Sequence, residues 1–430
     1  MTVEFSALNL IVVTLLCAAT ALMAHLGVAV FHDGIRPVLP EFIEGRMKRP
    51  EMASVAFGLS VGFIASVGIA HTVATGILNP WLLFLTTDIL GIVANRKWLA
   101  ALLGGAWGAL TVSALGLINT ALTSLPVDFI GAMGALSDPV VSGFALFPLV
   151  AIFMQFGAKK GVTATAITFI VRILIVRFTT IYVESIQIFV GVLLLIIFAI
   201  AKDTQSKLPK NEEEDNVFTE RIARIRKNVV FLMIGGAFIA VACNIGVFAG
   251  SEVSIYTLAE AYKTGNNALV SQAALSEFMR GLGFIPLIAT TAITTGVYGV
   301  AGLTFVYPIG YLMPNPIFAA IGGALMILVE VMLLGLIGKF LGKFPSIREA
   351  SDSIRSSMTT VMEFALLIGA INAVVKMGGY TGFFIGAMIY FINEMTGRRI
   401  MKMAIGPVAA IATGIILNIL CVLGLFVPIA

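Results

Sequence analysis

Charge is scarce in this sequence of 430 residues: Asp, Glu, Lys and Arg together make up 12% of it, whereas 59% of the residues are hydrophobic. An ordinary soluble domain carries about 25% charged residues. Apolar stretches of the ~20 residues needed to cross a bilayer recur from Ser6 to Val427. The composition excludes a soluble protein and predicts an all-α polytopic membrane protein with about 10 to 14 transmembrane segments, some of them re-entrant hairpins.

Cysteine and N-terminal basic residues are also few. No Lys or Arg precedes Arg36, so the basic region of a cleaved signal peptide is missing and the first span is expected to stay in the mature protein. The three cysteines, Cys17, Cys243 and Cys421, lie in apolar spans without paired or metal-like spacing. We interpret them as small core residues and expect no metal or other cofactor.

The sequence lacks the motifs of common enzymes and motors. Neither H-E-x-x-H nor G-x-x-x-x-G-K-[ST] occurs. The stretch "GLSVG" at residues 58–62 matches G-x-S-x-G, but a nucleophile elbow needs a strand and a turn, and this stretch lies in an apolar span. The net charge of +4 suits loops that face anionic lipid and does not indicate nucleic acid. We therefore predict a protein that is not an enzyme.

One phrase is written twice: "GFIASVGIAHTVATG" at residues 62–76 returns as "GFIPLIATTAITTG" at residues 283–296. The shorter strings "GGA", "LGLI" and "FAL" also recur, in the same order, at offsets of 218 to 220 residues. Collinear matches at one spacing predict an internal repeat. The domain prediction is a first repeat at residues 1–201, a polar linker at residues 202–228 and a second repeat at residues 229–430.

The distribution of Lys and Arg predicts that the two repeats are inverted in the membrane. Residues 31–52 carry four basic residues, whereas the equivalent residues 251–276 carry one. Residues 119–137 carry none, whereas the equivalent residues 339–357 carry four. Equivalent loops of an inverted repeat lie on opposite sides of the membrane, so one is rich in Lys and Arg and the other is poor in them. The linker, with seven basic residues, is expected in the cytoplasm and both termini in the periplasm.

Inverted repeats that Gly and Pro interrupt are typical of secondary transporters, whose sites lie near the bilayer midplane where the halves meet. Broken backbone is tolerated there because it lines a cavity or is buried in protein. Polar residues at these breaks are the candidate ligands of a substrate, and we expect one cavity to collect them. The candidates are His71, Thr72, Thr75, Asp88, Asp138, Ser142, Thr290, Thr291, Thr294, Thr295, Thr360 and Glu363.

Each candidate has a purely structural alternative. The threonines could bond the carbonyl one turn back, or join helices. His71 could titrate protons or simply be a core residue. Asp88 and Asp138 could cap helices. Single polar residues in long spans are interpreted as helix-to-helix hydrogen bonds, and these are Glu330, Asn372 and Asn418.

Two long stretches carry a family resemblance. "HDGIRPVLPEFIEGRMKRPEMASVAFGLSVGFIASVGIAHTVATG" and "GALSDPVVSGFALFPLVAIFMQFGAKKG" resemble the YhfT family, inner-membrane proteins of uncharacterised function in enteric bacteria. The resemblance extends over the whole chain and implies the bacterial inner membrane, but it implies no substrate or site residues. Two inverted halves with hairpins are also similar in architecture to the ascorbate-type EIIC permeases of the phosphotransferase system, which are homodimers that work as elevators.

These features predict a secondary transporter of a small polar metabolite, anionic ones included, that works as an elevator-type homodimer coupled to protons or Na⁺. The alternative is an EIIC-like permease that passes its substrate to phosphotransferase proteins, although no phosphoacceptor Cys or His motif accompanies that likeness. A passive channel is a further alternative, but no span carries a continuous polar stripe. An intramembrane enzyme is disfavoured by the inverted repeat.

Overall fold

The structure is a computed structural model that describes residues 6–179, 183–206 and 212–428, without the side chains at 65, 66, 116, 118, 119, 137, 138, 141, 206 and 212–217. The described chain is helical apart from two short strands. Residues 6–228 contain α1 (Ala7–His25), α2 (Leu39–Ile43), α3 (Arg49–Phe63), a π-helical turn (Ile64–Gly68), α4 (Ile69–Thr75), α5 (Pro80–Val93), α6 (Lys97–Thr123), α7 (Phe129–Gly134), α8 (Ser137–Phe144), α9 (Phe147–Phe178), α10 (Val183–Ser206) and α11 (Glu212–Lys227).

The rest of the chain contains α12 (Val229–Asn244), α13 (Glu252–Thr264), α14 (Asn267–Thr295), α15 (Val306–Leu312), α16 (Pro316–Lys343), α17 (Pro345–Met395) and α18 (Lys402–Val422). Strand β1 (Ala29–Val30) follows α1, and β2 (Tyr298–Gly299) follows α14. Within the described ranges, eight helices are long and apolar enough to cross a membrane, or nine if the pair around Asn228, bent by 63°, is one span. This is an all-α, multi-pass membrane protein.

Two of the longest helices are broken by glycine. α9 breaks at Gly157, where φ is 79°, and α17 breaks at Gly378 and Gly379, where φ of Gly379 is 54°. A positive φ is strained for residues with a Cβ, so glycine is suited to these turns. A Cβ on Gly382 would lie 2.1 Å from the Val374 carbonyl, so the chain turns back on itself after the break. The predicted number of crossings, about 10 to 14, therefore depends on how these hairpins cross the bilayer.

Small residues let the central helices approach closely. A Cβ on Gly104 of α6 would lie 2.3 Å from the Cys17 carbonyl of α1, and one on Gly323 of α16 would lie 2.4 Å from the Gly236 carbonyl of α12. Close approach of backbones is how helices associate in lipid, where burying apolar surface gives no advantage. Cys17 and Cys243 are buried free thiols, as expected of small core residues.

The segments that follow four helices pair with one another reciprocally. β1, after α1, pairs in parallel with β2, after α14, and Ala29 lies opposite Tyr298. Leu78, after α4, forms a parallel bridge with Phe248, after α12. Ala29 and Phe248 are 219 residues apart, and Leu78 and Tyr298 are 220 residues apart. Each pairing thus joins one segment of the first half to one of the second half.

The polar linker contains helix α11. Its basic residues reach the end of α1 and the middle of α16: Arg224 donates to the Gly27 carbonyl at 3.1 Å, and Arg226 donates to the Met332 carbonyl at 3.3 Å. Arg221 lies 3.3 Å from Glu44, and hydrogen bonds from Arg46 and Arg221 lower the pKa of the Glu44 carboxyl. These contacts fix the linker helix against both halves.

Candidate functional site

A cavity of about 290 Å³ lies where the loops after the two strands meet α14 and α17. We call it the central cavity. The loop after β1, residues 31–36, contributes to its wall, and so do Gly299 of β2 and the loop after it, residues 300–304. Further wall residues come from α3, the π-helical turn, α5, α13, α14 and α17. Both halves of the chain therefore build this cavity.

Three arginines line the central cavity with donors that lack acceptors. Arg36 is 3% exposed, Arg280 is 5% exposed, and Arg355 is half-buried. Among the described residues, no hydrogen-bond acceptor reaches Nη1 of Arg36, Nε and Nη1 of Arg280, or Nε of Arg355. Buried donors without a partner are rare, and each costs about 1 to 3 kcal/mol. An anionic oxygen in the cavity would satisfy them.

The guanidinium groups of Arg36 and Arg355 each form an ion pair with a nearby aspartate. Arg36 forms a 2.9 Å ion pair with Asp33 of its own loop, and it donates to the carbonyls of Val30 and Phe31 at 3.4 and 3.3 Å. Arg355 forms a 3.2 Å ion pair with Asp352 one turn earlier. Because an arginine has five donors in a fixed fork, groups held in this way can still present N–H to a ligand.

Arg280 is held by an aromatic ring and a carboxylate. Its guanidinium lies 4.4 Å from the centroid of the Phe284 ring, within the range of a cation–π interaction. Its Nη1 atom lies 3.5 Å from Oε2 of the fully buried Glu277. This arginine thus stands between a carboxylate on one side and the central cavity that it lines.

Aromatic rings form much of the remaining wall. Phe63 stacks on Trp81 with ring centroids 5.1 Å apart, and Phe31 meets the Trp81 ring edge-on at 5.4 Å. Phe144 and Phe284 stack at 6.0 Å. The Trp81 indole N–H lies 3.4 Å from Glu252, whose other oxygen has no hydrogen-bond partner in the described structure. Apolar walls with a few placed charges are typical of small-molecule sites.

Two buried carboxylates hold the two loops that line the cavity. Asp88 of α5 accepts from the backbone N–H groups of Phe31 and His32 at 2.9 and 3.0 Å. Glu330 of α16 accepts from the Leu303 N–H at 2.8 Å and from the Tyr298 hydroxyl at 3.1 Å. Neither carboxylate lines the cavity. They act as positioning groups for the loops that do.

The His32 ring is neutral in this arrangement. Its Nδ1 atom accepts from the Gly34 N–H at 2.9 Å, which a protonated ring could not do. Its Nε2 atom then carries the proton and donates to the Leu59 carbonyl at 3.1 Å. The imidazole therefore serves as a brace between the loop after β1 and α3, and it adds no charge to the cavity.

Thr304 closes the loop after β2 in a strained conformation. Its φ is 79°, a region that β-branched residues avoid. Its hydroxyl is buried, has no partner among the described residues, and belongs to a side chain that lines the central cavity. Backbone strain and an unpartnered hydroxyl at one position are features of binding sites.

The repeated phrases contribute to the central cavity through their apolar residues. Phe63 and Val67 of the first phrase line it, as do Phe284 and Ile288 of the second. Phe63 and Phe284 are 221 residues apart, and so are Val67 and Ile288. The threonines that follow these positions in the two phrases do not line the central cavity.

Most threonines of the phrases bond the carbonyl one turn back. The donors are Thr75 to His71 at 2.6 Å, Thr294 to Thr290 at 2.8 Å and Thr295 to Thr291 at 2.6 Å. Thr291 donates in the same way to Leu287. These four hydroxyls therefore form the intrahelical hydrogen bonds that are typical of a threonine with a purely structural role. None of these four residues lines the central cavity.

The other polar residues of the phrases lie at helix contacts. His71 is buried and forms a hydrogen bond through Nδ1 with the Tyr256 hydroxyl of α13. Thr72 accepts from the Asn79 amide at 2.9 Å. The Thr290 hydroxyl is buried and meets no partner within the described chain. These three residues also lie outside the central cavity.

The candidates on α8 and α17 lie elsewhere again. Ser142 and Thr360 border an apolar groove between α8 and α17. Glu363 borders a second surface site beside Arg398 and Lys402. The side chain of Asp138 lies outside the described part of the structure. The single polar cavity expected from the sequence is thus corrected: the described candidates are spread over several places, and their contact with a substrate stays a prediction.

The comparisons with known proteins agree over almost the whole chain. The sequence profile of YhfT, described as a protein of unknown function, matches residues 9–426. The chain belongs to the YhfT family. It is 54% identical over 429 residues to "Uncharacterized protein YhfT" of Escherichia coli (strain K12), covering 98% of this chain and 99% of that relative. No solved structure matches. The family resemblance is confirmed, and the likeness to EIIC permeases gains no support.

Neither the YhfT family description nor the E. coli relative assigns the central cavity a ligand. The sequence interpretation also missed its three arginines. Arg36 and Arg355 have the pattern of positive-inside loop charges, whereas Arg280 stands inside an apolar helix, three residues before the second phrase. A charge inside a span is costly and marks function. That signal could have found Arg280, but Arg36 and Arg355 resemble ordinary cytoplasmic charges.

Proposed function

We propose that this protein is a secondary transporter of a small organic anion across the bacterial inner membrane, and that the central cavity is its substrate site. The observation that carries the proposal is the set of three arginines whose unpartnered N–H groups line one cavity built from both halves. Secondary transporters bind their substrates between two structural repeats.

The pairings between the halves support an inverted repeat of residues 1–201 and 229–430. The reciprocal pairs, Ala29 with Tyr298 and Leu78 with Phe248, form the kind of contact that a two-fold rotation produces. Wall residues follow the same rule, because Asp33 and Glu252 are 219 residues apart and both line the cavity. We infer that a pseudo-two-fold axis passes through or near the central cavity.

Helix irregularities beside the cavity support the same assignment. The π-helical turn Ile64–Gly68 interrupts the first repeated phrase, and Pro286 lies inside the second, between two cavity residues. π-helical turns occur frequently at functional sites. Irregular backbone at membrane depth is stable only where it is buried or lines a cavity. The glycine breaks of α9 and α17 supply hairpins, and we propose that they move with the substrate in an elevator-type cycle.

The size and charge of the cavity define the substrate class. A volume of about 290 Å³ is at the lower end of ligand pockets, which favours a small metabolite. The charged wall residues are three arginines against Asp33 and Glu252, with one net positive charge. Guanidinium groups bind carboxylates and phosphates in a bidentate manner. We therefore propose a small carboxylate or phosphate ester, taken up by a homodimer with its linker in the cytoplasm.

A stability screen followed by uptake tests the proposal. The purified protein is unfolded thermally with lactate, succinate, malate, glutamate, glycerol phosphate and inorganic phosphate as probes. A bound anion at about 100 times its Kd stabilises the protein by about 2.7 kcal/mol. Anions that stabilise it are then offered as labelled compounds to proteoliposomes. We expect saturable uptake that Arg280→Gln reduces by about tenfold or more, equivalent to ~1.4 kcal/mol.

The matched control is Arg172→Gln. Arg172 also stands in a spanning helix and lies 3.5 Å from a buried carboxylate, Glu184, but it does not line the central cavity. The control protein should take up the anion at the wild-type rate. Equal loss in both variants, or no loss in Arg280→Gln, would contradict the assignment of the central cavity as the substrate site.

A further inference from the structure

A second buried polar cluster lies behind Arg280, centred on Glu277 one turn earlier on α14. Glu277 is fully buried. Its Oε1 atom accepts hydrogen bonds from the hydroxyls of Ser251 and Ser254 at 2.5 and 2.6 Å. Its Oε2 atom has no hydrogen bond from any described residue and lies 3.5 Å from Nη1 of Arg280. The Oε1 atom thus accepts two hydrogen bonds, whereas the Oε2 atom has only the Arg280 guanidinium as a partner among the described residues.

The groups that face Glu277 from the surrounding helices include one cation. On its own helix this is Arg280. α13 contributes Glu252, whose negative charge opposes that of Glu277. The buried Cys243 thiol comes from α12, and α15 contributes Tyr307 and Tyr311. The Tyr307 hydroxyl is buried without a partner in the described structure. If Arg280 turns to another anion, no other described cation balances the Glu277 carboxylate.

The same guanidinium therefore serves two anions. An anion in the central cavity and the carboxylate of Glu277 both need Arg280, and in a low-dielectric interior an unpaired buried carboxylate is strongly unfavourable. When a ligand takes Arg280, Glu277 is stabilised by accepting a proton on its free Oε2 atom. When the ligand leaves, the proton is released and the ion pair forms again. Proton binding and anion binding are linked through one side chain.

We propose that Glu277 is the proton-binding site of the transporter, and that a proton binds there together with each substrate anion because the anion displaces the carboxylate from Arg280. This proposal rests on the proposed function and names its coupling ion. The balance is simple: the carboxylate gains one proton and becomes a carboxylic acid, and the substrate anion replaces it beside the guanidinium. The proton and the substrate anion cross the membrane together, and the net charge of the site is the same with and without them.

The geometry favours a proton over Na⁺. A sodium ion needs several oxygen ligands, and a guanidinium 3.5 Å from the free oxygen would repel it. A proton needs one oxygen atom, and Oε2 of Glu277 is free to carry it.

Infrared difference spectroscopy of the full-length protein in lipid tests this without a known substrate. Acidification should produce carboxylic acid C=O absorption in the wild type, and Glu277→Gln should lack the band that Glu277 contributes to it. The matched control is Glu184→Gln, because Glu184 is also buried and also 3.5 Å from an arginine. Its spectrum should keep the band. A Glu277→Gln spectrum identical to the wild type would overturn the proposal.

Two further variants keep the test decisive if Glu277→Gln does not fold. Ser254→Ala removes one hydrogen bond to the carboxylate, and Arg280→Gln removes its cation. Both losses destabilise the charged form, so the midpoint of the band should move to higher pH, by about one unit or more for Arg280→Gln, which corresponds to a tenfold change in proton affinity. A midpoint unchanged in both variants would equally overturn the proposal.

Uptake separates this proposal from the proposed function. In proteoliposomes with a one-unit pH gradient, acid outside, a stabilising monoanion such as lactate should accumulate up to about tenfold in the wild type, and Glu277→Gln should abolish accumulation but not exchange. If the infrared band behaves as expected but no probe anion is taken up, the proposed function fails and the proton site stands. If uptake occurs with the band unchanged in Glu277→Gln, the proton site fails and the transporter stands.

Discussion

The Asp88 carboxylate accepts the backbone N–H of His32 at 3.0 Å and so ties α5 to the loop after β1. The Asp88 side chain is buried, and the contact joins residues 56 positions apart. Glu330 does the same for the loop after β2, through Leu303. The central cavity is therefore held from outside by two carboxylates, one from each half, and its shape depends on groups that do not line it.

Replacing Asp88 by Ala should loosen the loop after β1. Two partly buried backbone N–H groups, those of Phe31 and His32, would lose their acceptor, at a cost of up to about 1 to 3 kcal/mol each. We expect a lower thermal unfolding temperature and weaker stabilisation by probe anions. Asp128→Ala is the control, because Asp128 is an exposed carboxylate that caps α7 and accepts from Gly131. An unchanged anion response in Asp88→Ala would show that this loop is not part of the site.

Glu330→Ala should have the same type of effect on stability and anion binding as Asp88→Ala. It removes the acceptor of the Leu303 N–H and of the Tyr298 hydroxyl, so the loop after β2 should lose its position. We expect a lower unfolding temperature together with a reduced response to probe anions, measured in the same thermal assay. A variant that unfolds earlier but responds to anions as the wild type does would separate the stability of this loop from ligand binding.

Arg280→Lys should preserve charge but not binding geometry. A lysine presents a point charge and lacks the planar fork that can contact Phe284, Glu277 and a ligand together. We expect the Kd of the best probe anion to rise by about tenfold, which is ~1.4 kcal/mol, measured by titration of intrinsic fluorescence. Binding as tight as in the wild type would mean that charge alone recruits the anion and that the bidentate geometry is irrelevant.

Thr304→Gly should relieve backbone strain at the cavity wall. Glycine adopts a φ near 79° without penalty, whereas a strained residue of this kind costs on the order of 1 kcal/mol or more. We expect the apoprotein to unfold at the same or a higher temperature, while anion binding weakens because the free hydroxyl is gone. Thr304→Ser keeps the hydroxyl and should bind more tightly than Thr304→Gly. Equal binding by the two variants would exclude a role for the hydroxyl.

The orientation of the linker can be measured with a single cysteine. Glu220 is exposed on α11, so Glu220→Cys in a background without the three native cysteines presents one reactive thiol. If the positive-inside reasoning is correct, an impermeant maleimide should leave it unmodified in intact spheroplasts and label it after lysis. Prompt labelling from outside would reverse the orientation of both halves.

The apolar pattern predicted the helical membrane fold, because stretches long enough to cross a bilayer recur along the sequence. It could not predict which helix face turns inward. Thr359 lines the central cavity, whereas Thr360 lies at other sites, since one residue along a helix rotates the side chain by about 100°. Glu363, one turn further along α17, borders the surface site beside Arg398 and Lys402.

Hydroxyl groups were the least reliable signal. A threonine in a membrane helix can satisfy itself with the carbonyl one turn back, as Thr75 and Thr295 do, and the sequence is the same whether it does so or binds a ligand. The loops were harder still: the arginine of residues 31–36 enters the cavity because two strands pair across 269 residues, from Ala29 to Tyr298. No local pattern contains that pairing.

The position of a bound anion tests the central claim most directly. A cryo-EM map of the protein with the anion that stabilises it most should show ligand density in the central cavity, within hydrogen-bond distance of Arg280 and of Arg36 or Arg355. The three arginines would then lose their unpartnered N–H groups. Density at the surface site formed by Glu363, Arg398 and Lys402, with an empty central cavity, would contradict the account.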